Sequence, residues 1–359
     1  MKFTKKTLAA SMAAAGLFLA ASGVQASAII TNGVVMLGVN DHGALNVGGG
    51  PAAAGSGTTV VGLRDVATGS DSTSPGCTCE GWGVGIKDFG APGVNVSGGQ
   101  NTDVGGIGNL SLVSFTSTAS TAVSVVDVLG PTGGAVLRVT HSYAPNAGTP
   151  NLYQVDVSIT NLSGVDLADG QLVYRRVMDW DIPFPGSEHV DIQGVPAALG
   201  VSNGNNVRRT DNNGFNSWDP FSFSPFGLTD INFTDATGDI GALFDFEFEA
   251  LANGATRSFS TFYGAAPTKA DADLARAMVD GDPSDIEIGL YSYGYPSTGL
   301  PGIDLATGAP VTFIFGFGAA GGVLEPPPPP PPAVPEPASL ALLGLGLAGL
   351  GWSRRRKSA

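Results

Sequence analysis

The sequence predicts an all-β protein, a large antiparallel β-sandwich or super-sandwich with one short helix. Short segments of alternating apolar and polar residues recur along the chain, and glycine, proline or asparagine separates them. Glycine is abundant, at 53 of 359 residues, and only 13% of residues are charged, which is typical of turn-rich secreted β proteins. Between residues 27 and 322, helical spacing of apolar residues occurs at one place only.

The clearest strand is the segment 243–251. Phe244, Phe246 and Phe248 share one of its faces, and three acidic residues share the other, as in a half-buried antiparallel strand. An Asn-Gly pair at 253–254 suits a tight turn, so we expect a hairpin with 256–264. Further strands are expected at 135–143, 152–161, 172–182 and 311–318.

The single predicted helix begins after Thr268. Asp271 stands three residues later and completes a capping box. Leu274 and Met278 are four residues apart and predict an apolar face, and Gly281 marks the end of the helix.

The first 26 residues have the organisation of a secretory signal peptide. Three lysines precede an apolar stretch at 8–21, and Val24-Gln25-Ala26 provides a small-x-small cleavage site. We therefore expect export, and a mature protein that begins at Ser27.

The C-terminal segment has a similar composition in the opposite order, with an apolar run before a cluster of basic residues. The run 338–352 carries no charge, and as a helix it would be about 22 Å long, less than the roughly 30 Å hydrocarbon core of a membrane. Arg354, Arg355, Arg356 and Lys357 follow, and the positive-inside rule would hold them in the cytoplasm. Just before the run stand Val334, Pro335, Glu336 and Pro337.

This order of proline-flanked glutamate, apolar run and arginine cluster closely resembles the PEP-CTERM sorting signal of Gram-negative bacteria. The resemblance implies recognition and cleavage by an exosortase, a membrane-embedded cysteine protease, and a link to exopolysaccharide or biofilm. It also implies the secretion translocon as a partner, transient insertion in the inner membrane, and a final place at the cell surface or in the matrix. The alternative is a permanent single-pass anchor, because the run is near the lower length limit.

The rest of the chain divides by composition. We expect one β-sandwich domain over 27–322, with long Gly/Ser-rich loops at 44–110. A polyproline linker follows at 323–333, and the sorting signal occupies 334–359.

Charge excludes nucleic-acid binding. Between Ser27 and Pro337, ten basic residues stand against 31 acidic ones, which gives a net charge of about −21. Phosphate contacts need a basic patch, so this balance fits an extracellular surface better.

Cys77 and Cys79 are the only cysteines. In an oxidising compartment they are expected to form a disulfide or to remain as a buried reduced pair. The alternative is a metal site completed by one of the three histidines, His42, His141 or His189.

The segment 174–184 contains residues that could form a catalytic site. Asp179 and Asp181 would point to the same side of a strand, about 6–7 Å apart, and such carboxylates could act on a glycosidic bond. Alternatively, these aspartates form cross-strand ion pairs with Arg175 and Arg176, and Trp180 packs in the core.

Two further segments offer binding chemistry. In the polar segment 201–227, Arg208, Arg209 and Trp218 could form a sugar-binding surface, although an ordinary surface loop explains them equally. A weak calcium site or helix-end turn chemistry accounts for the acids Asp280, Asp282, Asp285 and Glu287.

The sequence contains no hydrolase elbow, zinc-protease helix or phosphate loop, so we expect no cofactor, no metal and no catalysis. The predicted function is that of an exported envelope or matrix protein, structural or carbohydrate-binding. The alternative is a polysaccharide-modifying enzyme, a glycosidase or epimerase.

Overall fold

A computed structural model describes residues 27–73, 75–182, 188–281, 288–296, 304 and 306–318. In that part of the chain, eighteen strands accompany one helix, α1 (Lys269–Ala277), and one short 3₁₀ turn, Val201–Asn203. The strands in chain order are β1 (Ser27–Thr31), β2 (Val35–Asn40), β3 (Leu63–Asp65), β4 (Gly81–Ile86), β5 (Val96–Asn101), β6 (Gly106–Gly108), β7 (Leu110–Ser117), β8 (Ala122–Leu129), β9 (Ala135–Pro145), β10 (Leu152–Asn161), β11 (Leu172–Asp179), β12 (Glu188–Gln193), β13 (Val207–Asp211), β14 (Phe233–Gly238), β15 (Gly241–Glu247), β16 (Thr256–Ala266), β17 (Ile288–Tyr295) and β18 (Thr312–Gly318).

The strands form three sheets. Nine strands lie in the order β14-β12-β17-β18-β16-β10-β9-β8-β7, six in the order β13-β15-β11-β4-β5-β6, and three in the order β1-β2-β3. Every strand pair in the described residues is antiparallel, for example β9 with β10 and β11 with β15. The predicted all-β sandwich with one short helix is therefore confirmed.

The core lies between the nine-stranded and six-stranded sheets. Phenylalanines of β15 face those of β18: the Phe244 and Phe317 ring centroids are 5.1 Å apart, and those of Phe246 and Phe317 are 4.6 Å apart. Residues after β2 enter the same layer, where the Trp82 indole donates to the His42 carbonyl at 2.8 Å. These side chains belong to one continuous buried cluster, whose burial drives the sandwich to close.

The hairpin predicted for 243–251 with 256–264 is wrong. β15 pairs with β11 and β13, whereas β16 pairs with β10 and β18, so the two strands lie in different sheets. The chain turns at 252–255 and crosses the core, which places Phe248 against Phe259 with ring centroids 5.4 Å apart. The phenylalanine face of β15 is buried better by another sheet than by an adjacent strand, because a strand neighbour covers edges and not faces.

The helix begins where the sequence predicts. Thr268 is its N-cap and accepts a hydrogen bond from the Asp271 N–H at 3.1 Å. The predicted apolar face is wrong, since Leu274 is exposed and the apolar residues that α1 buries are Ala272, Ala275 and Ala277. Small residues bring the helix close to the sheet.

The glycine-rich segment 44–110 contains four strands, β3 to β6, joined by long connections. Three of them make half of the six-stranded sheet, with β4 directly beside β11. This segment therefore shapes the surface on which the candidate site is built.

Candidate functional site

Strand β11 carries the charged residues of the segment "YRRVMDWD", and strand alternation divides them between two faces. Arg175 and Asp179 lie on the outer face, away from the nine-stranded sheet, and Arg176 lies on the inner face. Trp180 also points inward, where its Nε1 donates to a serine hydroxyl of β17 at 3.0 Å. Trp180 thus packs in the core, and both arginines find partners other than the aspartates of this segment.

Arg176 joins the two large sheets. Its Nε donates to Glu80 Oε1 at 2.7 Å and to the Tyr263 hydroxyl at 2.5 Å, and its Nη2 donates to the Tyr143 hydroxyl at 3.0 Å. The second Glu80 oxygen accepts the Leu45 N–H at 2.6 Å. Because Arg176 and Glu80 are fully buried, each compensates the charge of the other in a medium where an isolated charge is very costly.

Arg175 fixes a long loop to the outer face. The residues 212–229, which we call the covering loop, connect β13 towards β14 and lie across the six-stranded sheet. Two Arg175 nitrogens bind the Asp245 carboxylate, at 2.6 and 2.9 Å. The third, Nη1, donates to three carbonyls of the covering loop, those of Ser217, Asp219 and Ser222, at 3.0, 2.8 and 2.7 Å.

Glycines make room for this loop. A Cβ atom on Gly83 would lie 1.8 Å from the Trp218 carbonyl oxygen, and one on Gly108 would lie 1.8 Å from Trp218 Cζ2. A Cβ on Gly85 would meet the Phe221 ring at 2.5 Å. The glycines of β4 and β6 therefore form a flat floor that larger residues would destroy.

The candidate sugar-binding residues lie in and beside the covering loop, each with an internal partner. Arg208 Nη1 donates to the Pro220 carbonyl at 3.0 Å. Arg209 Nη1 donates to Asp245 at 3.2 Å, and its guanidinium carbon lies 3.9 Å from the Phe223 ring centroid. Trp218 Nε1 donates to a glycine carbonyl after β5 at 3.2 Å. All three side chains are half-buried, and sugar binding stays a prediction.

Asp179 and Asp181 come together with Cys77, which is 102 positions before Asp179. One oxygen of each carboxylate and Cys77 Sγ all lie within 4.8 Å of one another. The Gly76 and Cys77 N–H groups donate to the Asp181 carboxylate, and the close approach leaves no space for a side chain at Gly76. No arginine, lysine or histidine of the described residues forms an ion pair with either aspartate.

The surroundings of this acidic pair favour protonated carboxyl groups. Burial first, and then the nearby Asp181, raises the pKa of Asp179 to about 8. Burial also raises the pKa of Asp181 to about 6 and that of Glu188, at the start of β12, to about 7. Asp239, which is exposed, adds further negative charge to all three. Spacing along the chain gave no signal for Glu188 or Asp239, because tertiary folding alone brings them here.

The two cysteines form a disulfide in the structure, Cys77–Cys79. The histidines lie elsewhere: His42 contacts Asp41, His141 contacts Tyr174, and His189 contacts Asp235. Within the described residues, the sole group of three potential metal ligands is Cys77 with Asp179 and Asp181.

Most of the remaining candidate residues lie outside the described part. Of the weak calcium candidates, Asp280 is described, and Asp282, Asp285 and Glu287 are not. The signal peptide 1–26, the linker 323–333, and the sorting residues of 334–359 with their apolar helix 338–352 also lie outside it. Among the described residues, none of the helical structure has the length and apolar character needed to cross a membrane.

Comparison with protein families finds a match at the C-terminal end of the chain. Residues 333–356 match the model of the PEP-CTERM protein-sorting motif. The chain carries a PEP-CTERM sorting signal. Such a signal implies an exosortase substrate, exported to the cell surface or beyond, as the resemblance in the sequence had indicated. The comparison with curated proteins finds no match for this chain.

Proposed function

We propose that this PEP-CTERM protein is a structural, carbohydrate-binding component of the extracellular matrix or cell envelope, associated with exopolysaccharide. The observation that carries the proposal is the burial of Arg175 and Arg176. These two fully buried residues of the six-stranded sheet bind it to the covering loop and to the nine-stranded sheet. In this chain they stabilise the body itself.

The covering loop supports the carbohydrate-binding part of the proposal. It exposes Phe215 and Phe226 to solvent, at 36% and 57% of their surface. Arg208 and Trp218 lie at its base and are half-buried. Exposed aromatic faces together with planar hydrogen-bond donors are the chemistry that recognises sugar rings.

Glycan-array binding by the purified exported protein tests this proposal. We expect retention of matrix polysaccharides, and at least a ten-fold weaker affinity in Arg208→Gln. Arg138→Gln is the matched control, because Arg138 is an exposed arginine that binds Asp127 on the other large sheet. Equal binding by both variants, or no glycan bound by the wild-type protein, would contradict a carbohydrate-binding role.

A second candidate function is polysaccharide modification. The observation that favours it is that Asp179 and Asp181 have no arginine partner and that their pKa values are raised to different levels. Access would require the covering loop to open, since Gly214 packs directly against Asp179. Release of reducing ends from matrix polysaccharide by the wild-type protein, and its loss in Asp179→Asn, would support the enzyme.

A further inference from the structure

A pair of buried carboxylates without a counter-charge stands at the end of β11. Asp179 is 1% exposed, and its Oδ1 has no hydrogen-bond partner in the described residues. Its other oxygen contacts Cys77 Sγ at 3.4 Å. Since that sulfur is bonded to Cys79, it has no hydrogen to donate. One N–H, that of Trp180, reaches the carboxylate.

Asp181 also has an unsatisfied oxygen. Its Oδ2 is buried without a hydrogen-bond partner, while N–H groups of Gly76 and Cys77 satisfy the carboxylate from the other side. Two neighbouring carboxylates, each with an unsatisfied buried oxygen, are costly to keep. Glu188 and Asp239 add negative charge and thus increase that cost. By contrast, the fully buried acids Glu80 and Asp245 each form an ion pair with an arginine.

The geometry of the two aspartates suits a divalent cation. Their oxygens lie within 4.8 Å of each other, and a calcium ion with Ca–O distances of about 2.4 Å can bridge oxygens up to about that separation. Carboxylate oxygens are hard ligands that prefer calcium or magnesium to zinc, and the sulfur of a disulfide is not a thiolate ligand.

We propose that Asp179 and Asp181 bind one calcium ion at the end of β11, beside the Cys77–Cys79 disulfide. Glu188 and Asp239 strengthen the binding through their charge. The ion compensates the buried carboxylates, one of which, Asp181, accepts the N–H groups of Gly76 and Cys77. Extracellular calcium modules typically bind with a Kd of about 10⁻⁴–10⁻³ M, so the site would be filled outside the cell, where calcium is more plentiful than in the cytoplasm.

Calcium titration of the exported protein, with its disulfide intact and after EDTA treatment, tests the proposal. We expect one ion per chain by calorimetry. At 10 mM calcium, about 100-fold above a Kd near 10⁻⁴ M, the Tm should rise by about 5 °C. Asp179→Asn should weaken binding at least ten-fold and reduce the rise in Tm to about half or less.

The same variant distinguishes ligation from a general loss of structure. In EDTA, Asp179→Asn should melt at or above the wild-type Tm, because it removes a buried carboxyl group that has no counter-charge. Asp181→Asn should behave in the same way, and it provides the test if the first variant does not fold. Asp156→Asn, at an exposed position of β10, should bind calcium normally. Absence of binding to the wild-type protein at 10 mM calcium, or wild-type affinity in both aspartate variants, overturns the proposal.

Discussion

Arg175 and Arg176 are neighbours on one strand, and their guanidinium groups lie on opposite faces of the six-stranded sheet. Arg175 binds Asp245 and the covering loop, and Arg176 binds Glu80 and tyrosines of the nine-stranded sheet. All four charged side chains of these two pairs are fully buried. A two-residue segment therefore connects an outer loop, a sheet and the sandwich core.

Removing Arg176 should destabilise the protein strongly. Arg176→Met leaves Glu80 buried without its cation, so we expect a loss of about 3–5 kcal/mol in the free energy of unfolding. The double variant Arg176→Met with Glu80→Gln removes both charges and should recover much of this loss. Denaturant unfolding of the wild-type protein, the single variant and the double variant gives the three free energies of unfolding.

Arg138→Met is the control for that experiment. Its ion pair with Asp127 is at the surface, with 45% of the arginine side chain exposed, and should contribute less than about 1 kcal/mol. Equal losses in Arg138→Met and Arg176→Met would contradict the role assigned to the buried network.

The glycine floor under the covering loop gives a second prediction. Gly83→Ala places a Cβ 1.8 Å from the Trp218 carbonyl, so the loop must lift, at a cost of about 1–3 kcal/mol. Limited proteolysis should then cut within 212–229 at lower protease concentrations than in the wild-type protein. Gly134→Ala, where no atom lies within 4 Å of the added Cβ, should leave the digestion pattern unchanged.

Strand periodicity identified individual elements well but not their partners. The segment 152–161 is β10 residue for residue, and Thr268 caps α1. At 252–255 the sequence predicts a hairpin that does not form, because alternation and turn residues describe local geometry only. Whether a turn joins neighbours in one sheet or crosses to another depends on which surface buries the apolar face best.

The same limit applies to the candidate site. Alternation predicted that Asp179 and Asp181 would share a side, and their oxygens do lie close together. It could not reveal that Cys77 would approach them from 102 positions away, or that Glu80 and Asp245 would take both arginines. Partners so distant in sequence follow from the order of strands in the sheet.

Burial of His141 predicts a loss of stability in mild acid. Its ring packs against Trp82 and Tyr174, and burial followed by the positive charge of Arg176 holds its pKa well below 6.5. The unfolded chain, with a histidine pKa near 6.5, binds a proton that the folded chain does not. The free energy of unfolding should therefore fall by about 2 kcal/mol from pH 7 to pH 5 through this group.

Comparison with His141→Gln isolates that contribution. The acidic pair and Glu188 have raised pKa values and act in the opposite sense, but they are present in both proteins and cancel in the difference. The gap between the two stabilities, measured by denaturant unfolding at several pH values, should shrink as the pH falls below 6.5. A difference in the free energy of unfolding that stays constant from pH 7 to pH 5 would contradict the prediction.

Glu336 gives the last prediction, which concerns sorting. It lies within the matched motif at 333–356, between the two prolines that precede the apolar run. Proline disfavours a helical backbone at and before its own position, and a protease needs an extended substrate. Glu336→Ala should leave the chain in the membrane fraction with its C-terminal arginines intact, whereas the wild-type protein is released without them.

Glu325→Ala, before the polyproline segment and outside the motif, should be processed normally. Fractionation and intact-mass measurement in the native host check both variants, and a released Glu336→Ala protein that lacks residues 354–357 would show that this glutamate is not read by the exosortase.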